Sequence, residues 1–332
     1  MDGLPYFPVA AETQHTLKAA IGCVGVGVHT GQRVAVTLRP AAPGAGIVFR
    51  CTHLGADIPA RHDHVVETRL CTALGLPGRP EARVGTVEHL MAALAGCRVA
   101  DCIVEIDGPE VPILDGSAAP WVFLLDCAGL VEQGAARWIE VLRPVRVAEG
   151  EAFAELRPGP QGPGPQGPGL QGPGLQGNVP GGRGLALAMS IAFDAPAIGR
   201  QALTLDLDEA AFRRELASAR TFAHAREIAA LRSAGLARGG SLGNAVVVDG
   251  ARVLNPGGLR MADEFVRHKL LDAVGDLALA GAPLAGRFVG HRSGHALNNR
   301  LLRALFASPA NWRLVEGADE AWSAALPARQ AA

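Results

Sequence analysis

The chain is short of aromatic residues, short of lysine and without a long apolar run. Aromatic side chains make up 5% of its 332 residues, and only Lys18 and Lys269 are lysines among 31 basic residues. No run of 18 apolar residues occurs, so we expect no helix that spans a membrane. The formal net charge is -1, which gives no overall field to attract nucleic acid or an anionic membrane. An anionic substrate would therefore need a local basic cluster.

Cysteine is also scarce, and its spacing excludes two common uses. The six cysteines all lie in the first 127 residues, and none forms a CxxC pair. This pattern is typical of free thiols in a reducing cytoplasm, and not of a disulfide framework or a zinc ribbon. The segment 1–10 lacks a basic region before an apolar core, so we expect a cytoplasmic protein without a secretory signal.

Strand and helix patterns come in clusters along the chain, without strict alternation. The strand-like segments predict strands over 34–38, 102–107, 138–147, 152–157, 185–193 and 245–249. The helical patterns predict helices over 86–94, 121–130, 208–217, 224–234, 263–277 and 295–306. This order favours an α+β fold over a doubly wound sheet.

A glycine-rich segment at 25–31 raises the alternative of a nucleotide-binding regulator. Its spacing differs from that of a dinucleotide-binding loop, and a strand pattern follows it where such a loop needs a helix. We therefore interpret the segment as a hairpin turn.

The length predicts two domains. We place a first α+β domain at 1–147, a second at 148–310 and a C-terminal tail at 311–332. Residues 158–177 are four pentapeptides, PGPQG twice and PGLQG twice, and the period of five excludes collagen. Because such a segment has no side chains to bury in a core, we predict a disordered Gly/Pro/Gln-rich insertion at 158–184, inside the second domain.

The segment 263–277 carries the most informative pattern. An apolar stripe recurs at helical spacing through Val266, Leu270, Val274 and Leu277. His268, Asp272 and Asp276 recur every four residues, so a helix places them on one face. An imidazole and a carboxylate so placed can hold a metal ion, although a solvated face with a weak ion pair is the commoner meaning. Lys269 stands beside them in a chain whose only other lysine is Lys18, which favours the metal site, although Lys18 shows that a lysine can also be incidental.

A catalytic zinc needs three protein ligands and an open position for water. His89 follows Glu88 on a short predicted helix, which places a candidate base beside a candidate ligand. A solvated Glu-His pair on the surface is an alternative interpretation of the same two residues. His62 and His64 form a rival cluster, which we interpret as a surface strand end. His295 stands at the start of the last predicted helix. A histidine there could transfer a proton, or it could be a surface residue without a role, and the sequence favours neither interpretation.

Six segments carry a resemblance to a known family: TVEHLMAALAG, EVPILDGSAAP, ARTFAHAREI, GGSLGNAVVVD, DEFVRHKLLDAVGDL and SGHALNN. In order from about Gln14 to Phe306, the chain resembles the zinc-dependent UDP-3-O-acyl-N-acetylglucosamine deacetylases of lipid A biosynthesis. The resemblance implies two similar domains, each a β-sheet layered with two helices, with the active site at their interface. It further implies a monomer with one Zn²⁺ per chain, which Fe²⁺ can replace in the cell. The expected partner is an acylated UDP-sugar, with no nucleic acid and at most peripheral membrane contact.

The resemblance also assigns site residues. It implies that zinc is held by His89, His268 and Asp272. Glu88 matches the general base, His295 the general acid, and Asp276 the carboxylate that supports the acid. Thr221 matches a residue that holds the oxyanion, and Lys269 a lysine that binds substrate and stabilises charge. The implied substrate-binding residues are Cys71, Phe193, Phe222, Ile228, Gly240, Leu242, Val247 and Arg292. His224 departs from the family pattern, which often has a bulky or aromatic residue there.

Two other functions stay open at this point. One is a zinc amidase that acts on a different N-acylated amino sugar. The other is a non-catalytic binding module that contains zinc. Structural zinc sites usually have four protein ligands, often cysteines, whereas the implied set here has three and no cysteine.

Overall fold

The computed structural model describes residues 13–159 and 184–317. The first twelve residues, nearly all of the insertion predicted at 158–184, and the end of the predicted tail lie outside the described residues. Among the described residues, no helix is long and apolar enough to cross a membrane.

The described residues form twenty strands and six α-helices, numbered in chain order. The first ten strands are β1 Thr13–Leu17, β2 Ile21–Val26, β3 Arg33–Pro40, β4 Ile47–Cys51, β5 Ala56–Pro59, β6 Val65–Glu67, β7 Ala73–Leu76, β8 Arg79–Val84, β9 Cys102–Ile106 and β10 Leu130–Ala135. The other ten are β11 Arg137–Val141, β12 Val145–Glu149, β13 Ala152–Arg157, β14 Leu185–Ala192, β15 Arg200–Leu207, β16 Phe222–His224, β17 Val246–Asp249, β18 Arg252–Val253, β19 Leu284–His291 and β20 Trp312–Glu316. The helices are α1 Glu88–Gly96, α2 Ala119–Ala128, α3 Glu209–Ala211, α4 Ala225–Ser233, α5 Glu264–Ala278 and α6 His295–Phe306.

The first half of the chain is built on a five-stranded sheet of order β2-β3-β9-β4-β5. Alternation along β3 buries Val34, Val36 and Leu38 on one face, because successive side chains of a strand point to opposite sides. A short three-stranded sheet, β6-β7-β8, leads into helix α1. The segment 25–31 joins β2 to β3 as an antiparallel hairpin, which confirms the interpretation made from its spacing.

The second half is built on a seven-stranded sheet whose central strand is β19. Parallel pairing of β19 with β11 and β14 and antiparallel pairing with β13 make this sheet mixed. Helices α5 and α6 pack on it, and a small sheet, β16-β17-β18, stands beside helix α4. The fold is α+β, as predicted from the clustered strand and helix patterns.

Helices α1 and α5 pack against each other where the two halves meet. A Cβ on Gly275 would lie 2.0 Å from the carbonyl oxygen of Glu88, closer than real Cβ atoms come to any other heavy atom. Only glycine therefore allows this approach of the two helices. The contact places Glu88 and His89, at the start of α1, beside the polar stripe of α5.

The structure departs from the sequence-based expectations in three places. The prediction of a strand end at His62 and His64 is wrong, because residues 62–64 form one 3-10 turn. The segment 208–217 contains only one turn of α-helix, followed by a π-helical turn at Phe212–Leu216. Strand β20 lies within the predicted tail, and it pairs with β11 in the sheet of the second half. The division of the chain at residue 147 stays a prediction.

Candidate active site

Three predicted ligands converge at the interface of α1 and α5. The imidazoles of His89 and His268 and the carboxylate of Asp272 offer ligand atoms that lie within 4.8 Å of one another. Asp272 Oδ1 lies 3.6 Å from His89 Nε2 and 3.3 Å from His268 Nε2. The two imidazole rings meet edge to face, with centroids 4.9 Å apart. All three side chains are buried.

The donor set and its hydrogen bonding fit a zinc ion. His268 Nδ1 lies 3.0 Å from the carbonyl oxygen of Ala219, and since a carbonyl only accepts, Nδ1 carries the proton and Nε2 keeps its lone pair. Burial lowers the pKa of His268 to about 4, which keeps the ring neutral at physiological pH. Asp272 Oδ1 is buried and has no hydrogen-bond partner. A buried oxygen without a hydrogen-bond partner lowers the stability of the fold by about 1–3 kcal/mol. A cation bound at this point would give the oxygen its missing partner.

Lys269 lies on the other side of the Asp272 carboxylate. Its ammonium donates to Asp272 Oδ2 at 2.8 Å, while Oδ1 faces the two imidazoles. Burial raises the pKa of Asp272, but its contacts with His268 and Lys269 outweigh burial and hold that pKa well below its usual range. Asp272 is therefore ionised, as a metal ligand must be.

Two further titratable groups lie beside the cluster. Glu88 Oε2 accepts the backbone N–H of Thr72 at 3.0 Å, and Oε1 lies 3.9 Å from His295 Nε2. Burial raises the pKa of Glu88, although the charge of His295 opposes this. A carboxylate with a raised pKa is better able to take a proton near neutral pH.

His295 is oriented by Asp276. Its Nδ1 donates to Asp276 Oδ2 at 2.9 Å, which leaves Nε2 pointing toward Glu88 and Asp272. Burial alone would lower the pKa of His295, but the charge and hydrogen bond of Asp276 raise it to about 9. The ring is thus protonated at neutral pH and can deliver a proton.

Thr221 and Cys71 belong to segments that contact this group: the carbonyl oxygen of Ala219 contacts His268, and the charge of Glu88 acts on the Cys71 thiol. Thr221 follows Ala219 by two residues, and its backbone N–H donates to the carbonyl oxygen of Gly116 at 2.8 Å. This bond ties the residue to the turn after Ile113 in the first half. Burial raises the pKa of Cys71 to about 12, so the thiol is neutral and is not a nucleophile.

The predicted substrate-binding residues other than Cys71 and Arg292, which we call the wall residues, occupy two regions. Phe222 lies near the cluster. Its ring centroid is 6.2 Å from that of His268 and 5.5 Å from that of Phe193. Phe193 also contacts His224, where the ring centroids are 5.9 Å apart. The other predicted wall residues belong to the region of α4 and β17: Ile228, Gly240, Leu242 and Val247. Leu242 is 44% exposed.

Arg292 directly follows strand β19. It lines an open cavity of about 630 Å³ together with Arg200, His291, Ser190 and Glu151. Its guanidinium pairs with Glu151 at 3.1 Å. The two arginines give this cavity the local basic character that the overall charge of the chain lacks.

Sequence reasoning missed two residues that hold Glu88 and Asp276 in place. Thr72 donates its backbone N–H to Glu88 and its hydroxyl to Asp276 Oδ1, the latter at 2.5 Å. Asn298 donates to Asp276 Oδ2 at 2.8 Å. Helical spacing could have found Asn298, since it follows His295 by three residues on α6. Nothing in the local sequence marks Thr72, because its partners lie far away along the chain.

The fold and the site define a class: an α+β hydrolase with two histidines and one aspartate that could hold a metal ion, beside Glu88 and His295. A model of the family described as UDP-3-O-acyl N-acetylglycosamine deacetylase matches residues 14–307. The chain is 49% identical over 311 residues to the UDP-3-O-acyl-N-acetylglucosamine deacetylase of Phenylobacterium zucineum, with 92% of this chain and 98% of that protein covered. It is 46% identical over 311 residues to the enzyme so named in Acidithiobacillus ferrooxidans, covering 92% and 94%. It is 44% identical over 322 residues to that of Anaeromyxobacter dehalogenans, covering 97% and 96%.

The chain therefore belongs to the UDP-3-O-acyl N-acetylglycosamine deacetylase family. The match covers both halves of the fold and all sixteen site residues predicted above, from Cys71 to His295.

Proposed function

We propose that this protein is a zinc-dependent hydrolase that removes the acetyl group from UDP-3-O-(3-hydroxyacyl)-N-acetylglucosamine. The products are acetate and the free glucosamine amine, in the committed step of lipid A biosynthesis. The observation that carries this proposal is the convergence of three ligand atoms within 4.8 Å, with one buried carboxylate oxygen left without a partner.

Zinc would be held by His89, His268 and Asp272, and Fe²⁺ suits the same donor set. When bound, the ion supplies Lewis acidity, which polarises the amide carbonyl and acidifies a water molecule. Three protein ligands leave a position open, as a catalytic site needs. Lys269 holds the second oxygen of Asp272, so the carboxylate presents a fixed atom to the ion.

Glu88 takes the proton of the attacking water, because its carboxylate lies at the edge of the cluster and its pKa is raised by burial. The hydroxyl of Thr221 donates to the oxyanion that develops on the amide oxygen. His295 then protonates the departing amine, and Asp276 keeps its Nε2 aimed at the site. Without that proton the amine would remain a poor leaving group.

The two ends of the substrate fit different parts of the surface. The apolar side chains of Phe222, Ile228, Leu242 and Val247 suit an acyl chain. The arginines of the open cavity, Arg200 and Arg292, suit the diphosphate of a nucleotide. We infer a cytoplasmic monomer, consistent with the free thiols.

The test is acetate release from the acylated UDP-sugar by wild type, Glu88→Gln and a matched surface control, Glu81→Gln. We expect the Glu88 variant to keep its zinc and its turnover to fall about 10²–10⁴-fold, whereas the turnover of the control stays unchanged. Normal turnover in zinc-loaded Glu88→Gln and His295→Gln would contradict the mechanism.

The same assay separates the other functions. Equal turnover of a sugar that lacks the acyl chain would indicate an amidase of different specificity. No acetate release by zinc-loaded wild type would indicate a binding module.

A further inference from the structure

Glu110 is a buried carboxylate that the mechanism above does not use. It is 3% exposed, and its two oxygens accept four hydrogen bonds. Oε1 accepts the backbone N–H of His29 and the hydroxyl of Thr86, both at 2.9 Å. Oε2 accepts the backbone N–H and the hydroxyl of Thr30, at 2.8 and 2.7 Å. Glu110 therefore joins two segments that lie more than fifty residues apart in the sequence.

One of these segments is the entry to helix α1. Thr86 has a φ of +55°, in the left-handed region that a β-branched residue rarely adopts. Such a conformation costs about 1–3 kcal/mol and persists only where the surroundings hold it. The helix begins two residues later, at Glu88 and His89, which supply the base and a ligand. The angle at which α1 starts thus depends on the conformation of Thr86.

The other segment is the hairpin turn at 27–31. A Cβ on Gly27 would lie 2.3 Å from Glu110 Oε2, so the turn can approach the carboxylate only with glycine at this position. Carbonyl oxygens of the turn accept the backbone N–H groups of residues 238 and 239, at 3.2 and 3.1 Å. Those residues lead directly into Gly240, one of the predicted wall residues.

We propose that Glu110 is a positioning residue for the deacetylation. Its hydrogen bond holds Thr86 in the left-handed conformation from which α1 starts, and so fixes Glu88 and His89 against α5. Its hydrogen bonds to the turn at 27–31 connect Thr86 and the start of α1 to the segment at 238–240. This inference rests on the proposed function, because it takes Glu88 as the base.

Glutamine has the shape of glutamate, yet it cannot replace these contacts. An amide offers one accepting oxygen and one donating nitrogen, whereas both oxygens of Glu110 face a backbone N–H group. Whichever way the amide turns, its nitrogen opposes one of these N–H groups. One backbone N–H of the turn, at residue 29 or 30, therefore loses its acceptor, which weakens the link between the turn and Thr86 without a change in volume.

The experiment compares Glu110→Gln with Asp101→Asn, a matched control. Asp101 is 1% exposed and accepts from the backbone N–H of Gly46 and from Gln133, away from the start of α1. For each variant we would measure kcat per bound zinc, KM, thermal unfolding, and amide hydrogen exchange of residues 85–90 in the metal-free protein.

We expect kcat of Glu110→Gln to fall about 10- to 100-fold with little change in KM, because displacing a catalytic group by about 1 Å has effects of this size. Exchange at 85–90 should accelerate in Glu110→Gln and not in Asp101→Asn. Glycine adopts a positive φ without strain, so adding Thr86→Gly to Glu110→Gln should restore most of the lost kcat.

Three results would overturn the inference: unchanged kcat in Glu110→Gln, an equal loss in Asp101→Asn, or no recovery in the double variant. If Glu110→Gln does not fold, Thr86→Val and Thr86→Ser decide, because only serine keeps the hydroxyl. Equal kcat in those two variants would then refute the role. No acetate release by zinc-loaded wild type would instead refute the proposed function itself, which separates the two failures.

Discussion

Replacing Gly275 with alanine tests whether the close approach of α5 to α1 sets the active site. The new Cβ would lie 2.0 Å from the carbonyl oxygen of Glu88 and 3.0 Å from its Cα. Ordinary contacts begin near 3.4 Å, so the start of α1 must retreat by about 1.4 Å. Overpacking of this kind costs about 1–3 kcal/mol in stability.

The larger effect should fall on catalysis. The displaced backbone carries Glu88, and His89 moves with it away from His268 and Asp272. A shift of about 1 Å in a catalytic group lowers turnover by about 10²-fold. We therefore expect kcat to fall by about two orders of magnitude, with a weaker affinity for zinc.

The assay is steady-state acetate release, together with zinc titration and thermal unfolding. Gly257→Ala is the control, because a Cβ there meets no heavy atom within 4 Å and the backbone does not require glycine. If Gly275→Ala keeps wild-type kcat and zinc affinity while the control behaves the same, the packing argument is wrong.

Two further predictions concern buried hydrogen bonds. Asn298→Ala removes one of three donors to Asp276, so kcat should fall about 10-fold at unchanged KM, and an unchanged kcat would exclude a role in positioning. Glu264 is fully buried and pairs with Arg220 at 2.8 Å, so Glu264→Gln leaves a buried cation unpaired and should cost about 3–5 kcal/mol. Burial raises the pKa of Glu264, but the hydrogen bonds from Arg220 and from the backbone lower it more. The pair's stability is therefore complete above the ordinary pKa of 4.5 and declines as pH falls below it. Denaturant unfolding should show the difference between wild type and Glu264→Gln shrinking at acid pH, and a constant difference would contradict this.

Local periodicity accounts for much of the fold. Helical spacing predicts a helix over 295–306, and α6 has these bounds. It likewise predicts the long helix at 263–277, found as Glu264–Ala278 with its apolar stripe buried. Alternation predicts β3 and β9, because a sheet with one buried face leaves a period of two in the sequence.

The sequence-based predictions that were wrong concern segments whose structure depends on partners far away in the sequence. Residues 62–64 form a turn, and the backbone N–H of His62 donates to the carbonyl oxygen of Leu279 in the other half of the chain. Strand β20 pairs with β11, which lies more than 170 residues earlier in the sequence, and no local sequence pattern predicts this pairing.

The candidate site divides in the same way. The stripe of His268, Asp272 and Asp276 follows from spacing on one helix, whereas spacing alone left His89 as one histidine among ten. Its selection needed the family resemblance, and the structure now places it 3.6 Å from Asp272. Its position depends on the glycine at 275, which looks ordinary in the sequence.

The central claim is that His89, His268 and Asp272 hold one metal ion between the two halves. The most direct test is zinc stoichiometry of the folded protein beside the three single alanine variants. We predict about one zinc per chain in wild type and a large loss of zinc in each variant, with deacetylation lost in parallel. Stoichiometric zinc in folded His89→Ala, or full turnover by metal-free wild type, would contradict the account.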